Sequence, residues 1–109
     1  MRIPVQFRLL TGGTDVGSLT LSPIKNGEIR DLATYGLALE TPELGPSDAG
    51  LLRAEGVRVY LQWSLPEATV AAMAVPVWCT SSPEGLALGL KILEIPLEHQ
   101  SAIRAFVQR

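Results

Sequence analysis

The sequence predicts an all-β fold: six or seven short antiparallel strands closed into a small barrel, with one α-helix at the C-terminal end. Three observations carry this expectation. Apolar and polar residues alternate over several short runs, the period of a strand with one face in a core. Turn-forming residues separate those runs, with 10 glycines and 8 prolines in 109 residues. After Pro96 the apolar period lengthens from two to about 3.6. Short strands at regular spacing followed by a single helix fit a small barrel or sandwich with a helical lid.

Taken in order, "RIPVQFRLL" (2–10) has strand composition, and Pro4 marks an entry bend or an edge. "TGGTD" (11–15) is a turn, and "VGSLTLS" (16–22) a weak strand. "PIKNG" breaks the chain with an Asn26-Gly27 turn signal. "EIRDLA" (28–33) and "YGLALE" (35–40) are two strands joined near a glycine, and "TPELGP" (41–46) is a loop. "SDAGLLRAEG" (47–56) reads as a short helix with Ser47 as N-cap and Gly56 as its stop.

"VRVYLQWSL" (57–65) has the cleanest alternation: Val57, Val59, Leu61, Trp63 and Leu65 share one face. "VAAMAVPVWCT" (70–80) is a longer strand whose Pro76 requires an edge or a bulge. "LALGLKILEI" (86–95) is the last strand, with Leu86, Leu88, Leu90 and Ile92 in phase. The closing helix spans about 97–108, with Pro96 at its start. His99, Ala102, Ile103, Phe106 and Val107 lie on its apolar stripe.

The length predicts one domain over 1–109 with a single modest core. A net charge of −2 supplies no broad positive field, which argues against a nucleic-acid polymer as partner. Aromatic residues at 6% are too few for the stacking platforms of a single-strand binder. Cys79 is the only cysteine and His99 the only histidine, so neither a metal site nor a Ser-His pair is expected, and the chain reads as a non-enzyme. No apolar run reaches the roughly 20 residues of a membrane span, and no signal-peptide pattern is present; the expected location is the cytoplasm.

Read locally, Asp31 and Gly36 belong to a turn between strands, the acid bonding nearby backbone and the glycine supplying a positive φ. Phe7, Trp63, Trp78 and Phe106 are expected in the core, and Cys79 as a small buried hydrophobe. His99, on an apolar stripe, is expected as a partly buried packing residue.

"EIRDLATYGLALE" also resembles the strand-turn-strand signature Asp/Asn-x-Ser-x-x-Gly of the PilZ domain, a bacterial receptor module for cyclic di-GMP. Asp31 matches the acid and Gly36 the glycine, while Ala33 stands where serine is usual. "AVPVWC" followed by "LALGLKIL" is similar to that family's fifth strand and its closing Gly-Leu strand, and "HQSAIRAFVQ" looks like its terminal helix. Arg2, before Ile3-Pro4-Val5, looks like the second arginine of the family's Arg-x-x-x-Arg element, whose first would fall before Met1.

The resemblance implies a PilZ-like barrel that couples cyclic di-GMP to a protein effector in motility, biofilm or polysaccharide control. It implies ligand contacts from Arg2, Asp31, position 33 (here Ala33) and Gly36, with Arg30 and Arg8 as nearby candidates to compensate for the other arginine. The chemistry suits that ligand. A guanidinium forks onto guanine O6 and N7 or onto phosphate oxygens, and a carboxylate accepts from the guanine N1–H and N2–H₂ edge. The alternative reading is a PilZ-fold adaptor that binds proteins and no longer binds the nucleotide.

Overall fold

The structure, a computed structural model, describes residues 2–12 and 20–108. Its strands are β1 (Ile3–Thr11), β2 (Thr20–Leu21), β3 (Lys25–Ala33), β4 (Gly36–Thr41), β5 (Arg58–Ser64), β6 (Thr69–Ser82) and β7 (Gly85–Glu94). A 3₁₀ turn (Pro46–Asp48) runs into the short helix α1 (Ala49–Arg53), and α2 (Leu97–Val107) ends the fold. The expected strand over 16–22 is described only from residue 20, and most of the expected turn over 11–15 lies outside the described residues.

Strands β1, β3, β4, β7, β6 and β5 pair antiparallel in that order, and β5 returns to β1 from Val5↔Trp63 to Leu10↔Arg58. That last pairing closes the sheet into a six-stranded barrel and removes its free edges. β2 is an extra strand beside the far end of β1, at Leu10↔Leu21 and Thr11↔Thr20. The all-β barrel with a C-terminal helix that the sequence predicts is therefore present.

The core follows from the alternation. Val5, Phe7 and Leu9 of β1, Val59, Leu61 and Trp63 of β5, and Leu86, Leu88 and Leu90 of β7 are all buried. Their neighbours in sequence face outward, as a two-residue period requires. α2 packs on β3 and β6 and buries Ala102 and Ile103.

β6 runs past the end of its ladder with β7, which stops at Met73↔Glu94. The Ala71 N–H beyond that point donates to His99 Nδ1 at 3.2 Å. His99 is thus the half-buried packing residue expected, and it also satisfies a strand amide that would otherwise be an orphan donor. His99→Ala is expected to cost about 1–3 kcal/mol, the penalty for leaving a part-buried donor unpaired. Chemical denaturation measures this. Faster hydrogen exchange at the Ala71 amide, with the rest of β6 unchanged, is the local signature.

Three local expectations are corrected. Asn26-Gly27 is not a turn: both residues lie inside β3, opposite Gln6 and Val5 of β1. A Cβ at residue 27 would fall 2.7 Å from the Glu40 carbonyl oxygen, so glycine serves a close strand approach there. The Asn26 carbonyl accepts from Thr41 Oγ1 at 2.7 Å, and its N–H donates to the Glu43 carboxylate, fixing the pair in extended form. Ser47 is not an N-cap; it lies inside the 3₁₀ turn, where Asp48 accepts from the Gly45 N–H at 2.8 Å. Gly56, with φ +87°, is not the helix stop: α1 ends at Arg53, and Ala54 is its C-cap in extended backbone.

Candidate functional site

Two β-bulges shape the outer face of the barrel. In the β3–β4 ladder Ile29 pairs with Leu39 and Asp31 with Ala38, which leaves Arg30 as the extra residue. Ile29 is buried and Leu32 packs against the core, so the inward positions of β3 are three apart rather than two. Arg30 and Asp31 therefore both face outward; Asp31 is not in the turn expected between the strands but inside β3, whose ladder with β4 continues to Ala33↔Gly36. Asp31 is exposed, and its carboxylate has no hydrogen-bond or ion-pair partner among the described residues.

In the β6–β7 ladder Pro76 pairs with Leu90 and Trp78 with Gly89, leaving Val77 as the extra residue. Up to that point Val70, Ala72 and Ala74 face the core. The bulge shifts the phase by one: Cys79 turns to pack against the core, and Trp78 turns outward at 49% exposure. Trp78 is not the core residue expected from its composition, whereas Phe7 and Trp63 are buried and Phe106 packs against the core in part. Cys79 is partly rather than fully buried.

The two bulges align one row across four strands: Asp31↔Ala38, Ala38↔Gly89 and Gly89↔Trp78. Small residues form the middle of the row, and Ala33 and Gly36, paired with each other, lie beside it. The row lines a depression of about 420 Å³. Gly36 does not have a positive φ. Its reason for being glycine is steric, since a Cβ there would fall 2.9 Å from the Leu90 carbonyl oxygen.

Arg2 and Arg30 line a neighbouring depression of about 310 Å³ on the same side of the barrel, together with Glu28, Glu40 and Glu84. Arg2 pairs with Glu28 at 3.7 Å and Arg30 with Glu40 at 3.1 Å. Both pairs are solvent-exposed, and pairs of this kind contribute roughly 0–1 kcal/mol, so breaking either costs little. Arg8 is not part of this group. It lies opposite Tyr60 and lines a largely apolar groove of about 440 Å³ with Leu21, Ile24, Tyr60 and Met73. Six residues of strand separate it from Arg2, roughly 20 Å.

Among the described residues, no group of three or more His, Cys, Asp or Glu side chains is placed to hold a metal ion. No helix among them is long and apolar enough to cross a membrane. No family model, curated protein or solved structure matches this chain. What remains is the geometry and the resemblance carried by Arg2, by residues 28–40 and by the later strand and helix segments. Of the residues that resemblance singles out, Asp31, Ala33 and Gly36 share one depression and Arg2 and Arg30 the next. The residue that composition missed is Trp78; the signal for it is Pro76, two residues before, which breaks the strand's phase.

Proposed function

We propose that this chain is a non-enzymatic, PilZ-like signalling module that binds cyclic di-GMP on the outer face of β3 and β4. Occupancy would be relayed to a protein effector in a bacterial cytoplasm, with motility, biofilm or polysaccharide control as the output. The observation that supports this most is the β3 bulge. It presents Arg30 and Asp31 side by side to solvent, and the Asp31 carboxylate has no partner among the described residues. An acceptor-only carboxylate complements the N1–H and N2–H₂ edge of guanine, while Arg2 and Arg30, held only by exposed glutamates, complement phosphate or the guanine O6 and N7. Ala33 contributes no hydroxyl, so binding in this reading leans on the arginines and on Asp31.

Calorimetric titration of cyclic di-GMP into the wild type, Arg30→Ala and Asp31→Ala tests the assignment of residues. Each variant removes a charge-assisted contact and is expected to weaken binding by about 1.5–3 kcal/mol, roughly 10- to 150-fold. Equal affinity in all three proteins would remove the bulge from the site.

A second reading is favoured by a different observation. Tyr35, Val77 and Trp78 are large apolar side chains at 76%, 59% and 49% exposure, the kind of surface a protein partner covers. In that reading the barrel is an adaptor without nucleotide. It predicts that a partner captured by the folded chain is lost in a Tyr35→Ser, Val77→Ser double variant whether or not nucleotide is present.

A further inference from the structure

The groove of about 440 Å³ around Arg8 lies apart from the depressions that hold Asp31 and Arg30, and neither functional reading uses it. Its volume is that of a small-molecule site, for which about 300–1,000 Å³ is usual. Leu21, Ile24 and Tyr60 are large apolar side chains exposed at this groove, and Met73 pairs with Tyr60 across the β5–β6 ladder. Single exposed apolar residues are ordinary, but here four line one hollow, and an apolar occupant would remove their surface from water. Among the described residues, Arg8 is the one charged group on the lining; it is half-buried and has neither an ion pair nor a hydrogen bond. Arg2 and Arg30, by contrast, each have a glutamate. Gln6 and Gln62, opposite each other two residues along the strands from Arg8 and Tyr60, add amide N–H donors beside the guanidinium.

We propose that this groove binds a single-chain acyl carboxylate, with the carboxylate on the Arg8 guanidinium and the chain against Tyr60, Met73, Leu21 and Ile24. The charge of the head follows from the lining: donors and one cation, with no acid to compete for them. The nature of the tail follows from the backbone. β1 is bonded to β3 and β2 on one side and to β5 on the other, and β5 is bonded to β1 and β6. The two strands that floor the groove therefore have no free ladder for a peptide to join. A peptide laid there would bury its own N–H and C=O groups against apolar side chains, whereas an acyl chain carries no such groups. The site is separate from the nucleotide site proposed above and does not depend on it.

The test titrates the whole chain with decanoate below its micelle-forming concentration, followed by calorimetry and amide nitrogen–proton spectra. Octanoate, decanol and a short apolar peptide with a free C-terminal carboxylate are the comparisons. Decanoate is expected to shift the amides of Arg8, Leu21, Tyr60 and Met73 saturably, with Asp31 and Gly36 unmoved. Octanoate binds more weakly, by up to roughly 15-fold for the two methylenes removed. Decanol, which keeps the chain and loses the charge, binds about 10-fold or more weakly than decanoate. Arg8→Gln lowers decanoate affinity by about the same factor and leaves decanol unchanged, while Leu21→Ser weakens both; circular dichroism of each variant matches the wild type. Decanoate that moves no residue of the groove, or that binds Arg8→Gln as tightly as wild type, overturns the proposal. So does decanol binding as tightly as decanoate, or the peptide binding more tightly. Each of these failures leaves the nucleotide reading standing, because cyclic di-GMP is titrated separately and read at Asp31.

Discussion

Phe7→Ala is expected to lower the folding stability by about 3–5 kcal/mol, the usual range for deleting a buried aromatic ring. Phe7 is 1% exposed and lies on the strand that closes the barrel, opposite Lys25 of β3 on one side and Leu61 of β5 on the other. A closed sheet has little freedom to collapse into the space the ring leaves, because each neighbouring strand is already bonded on both sides. The cavity cost therefore adds to the lost transfer free energy rather than relaxing away. Against a typical domain stability of about 5–15 kcal/mol this is a large fraction. Urea denaturation reads it as a fall in midpoint at unchanged slope. A loss under about 1 kcal/mol would mean that the β1–β5 seam is not the closed junction described here.

Gly85→Ala is expected to cost about 3 kcal/mol, at the upper end of overpacking. A Cβ at this position would fall 2.1 Å from the Thr41 carbonyl oxygen, 2.8 Å from that of Leu44 and 2.9 Å from Pro42 Cα. All three are backbone atoms, so no side chain can rotate to make room. The segment they belong to follows β4 and carries Thr41, which is fully buried and whose hydroxyl bridges the Asn26 carbonyl and the Glu43 N–H. The change pushes this segment away from β7 and disturbs the depression lined by Arg2, Arg30 and Glu40, which also contains Thr41 and Pro42. A stability loss comparable to that of an ordinary surface substitution would show that the segment is free to move. The same experiment at Gly45 or Gly50, where a Cβ meets nothing within 4 Å, supplies the control.

The barrel was legible in the sequence because its signal is local and repeated. The face from Val57 to Leu65, the phase of Leu86, Leu88 and Leu90, and the change of period after Pro96 each need only a few neighbouring residues to be read. The site was legible only in part, because its geometry depends on pairing. An unbroken two-residue period along β6 turns Trp78 inward with Val70, Ala72 and Ala74. The extra residue Val77 reverses that, and only the partner strand β7 defines Val77 as extra. Likewise Arg30 is extra only with respect to β4. Gly36 reads locally as a residue of positive φ, whereas its cause is the Leu90 carbonyl of a strand about fifty residues away in sequence. The Asn26-Gly27 pair carries a strong hairpin signal that the long-range ladder to β1, with the bonds from Asn26 to Thr41 and Glu43, overrides. The separation of Arg8 from Arg2 follows directly from strand rise, since Arg2 stands immediately before the strand that carries Arg8.

In the proposed function a cyclic dinucleotide meets the barrel on the outer face of β3 and β4. An amide nitrogen–proton correlation spectrum of the isotopically labelled chain, recorded with increasing cyclic di-GMP, reads this residue by residue. The expected result is a saturable set of shifts confined to Arg2, residues 28–40 and the Trp78–Gly89 pair, with the groove around Arg8, Leu21 and Tyr60 unmoved. An unchanged spectrum at saturating ligand, or shifts gathered in the Arg8 groove, would contradict it.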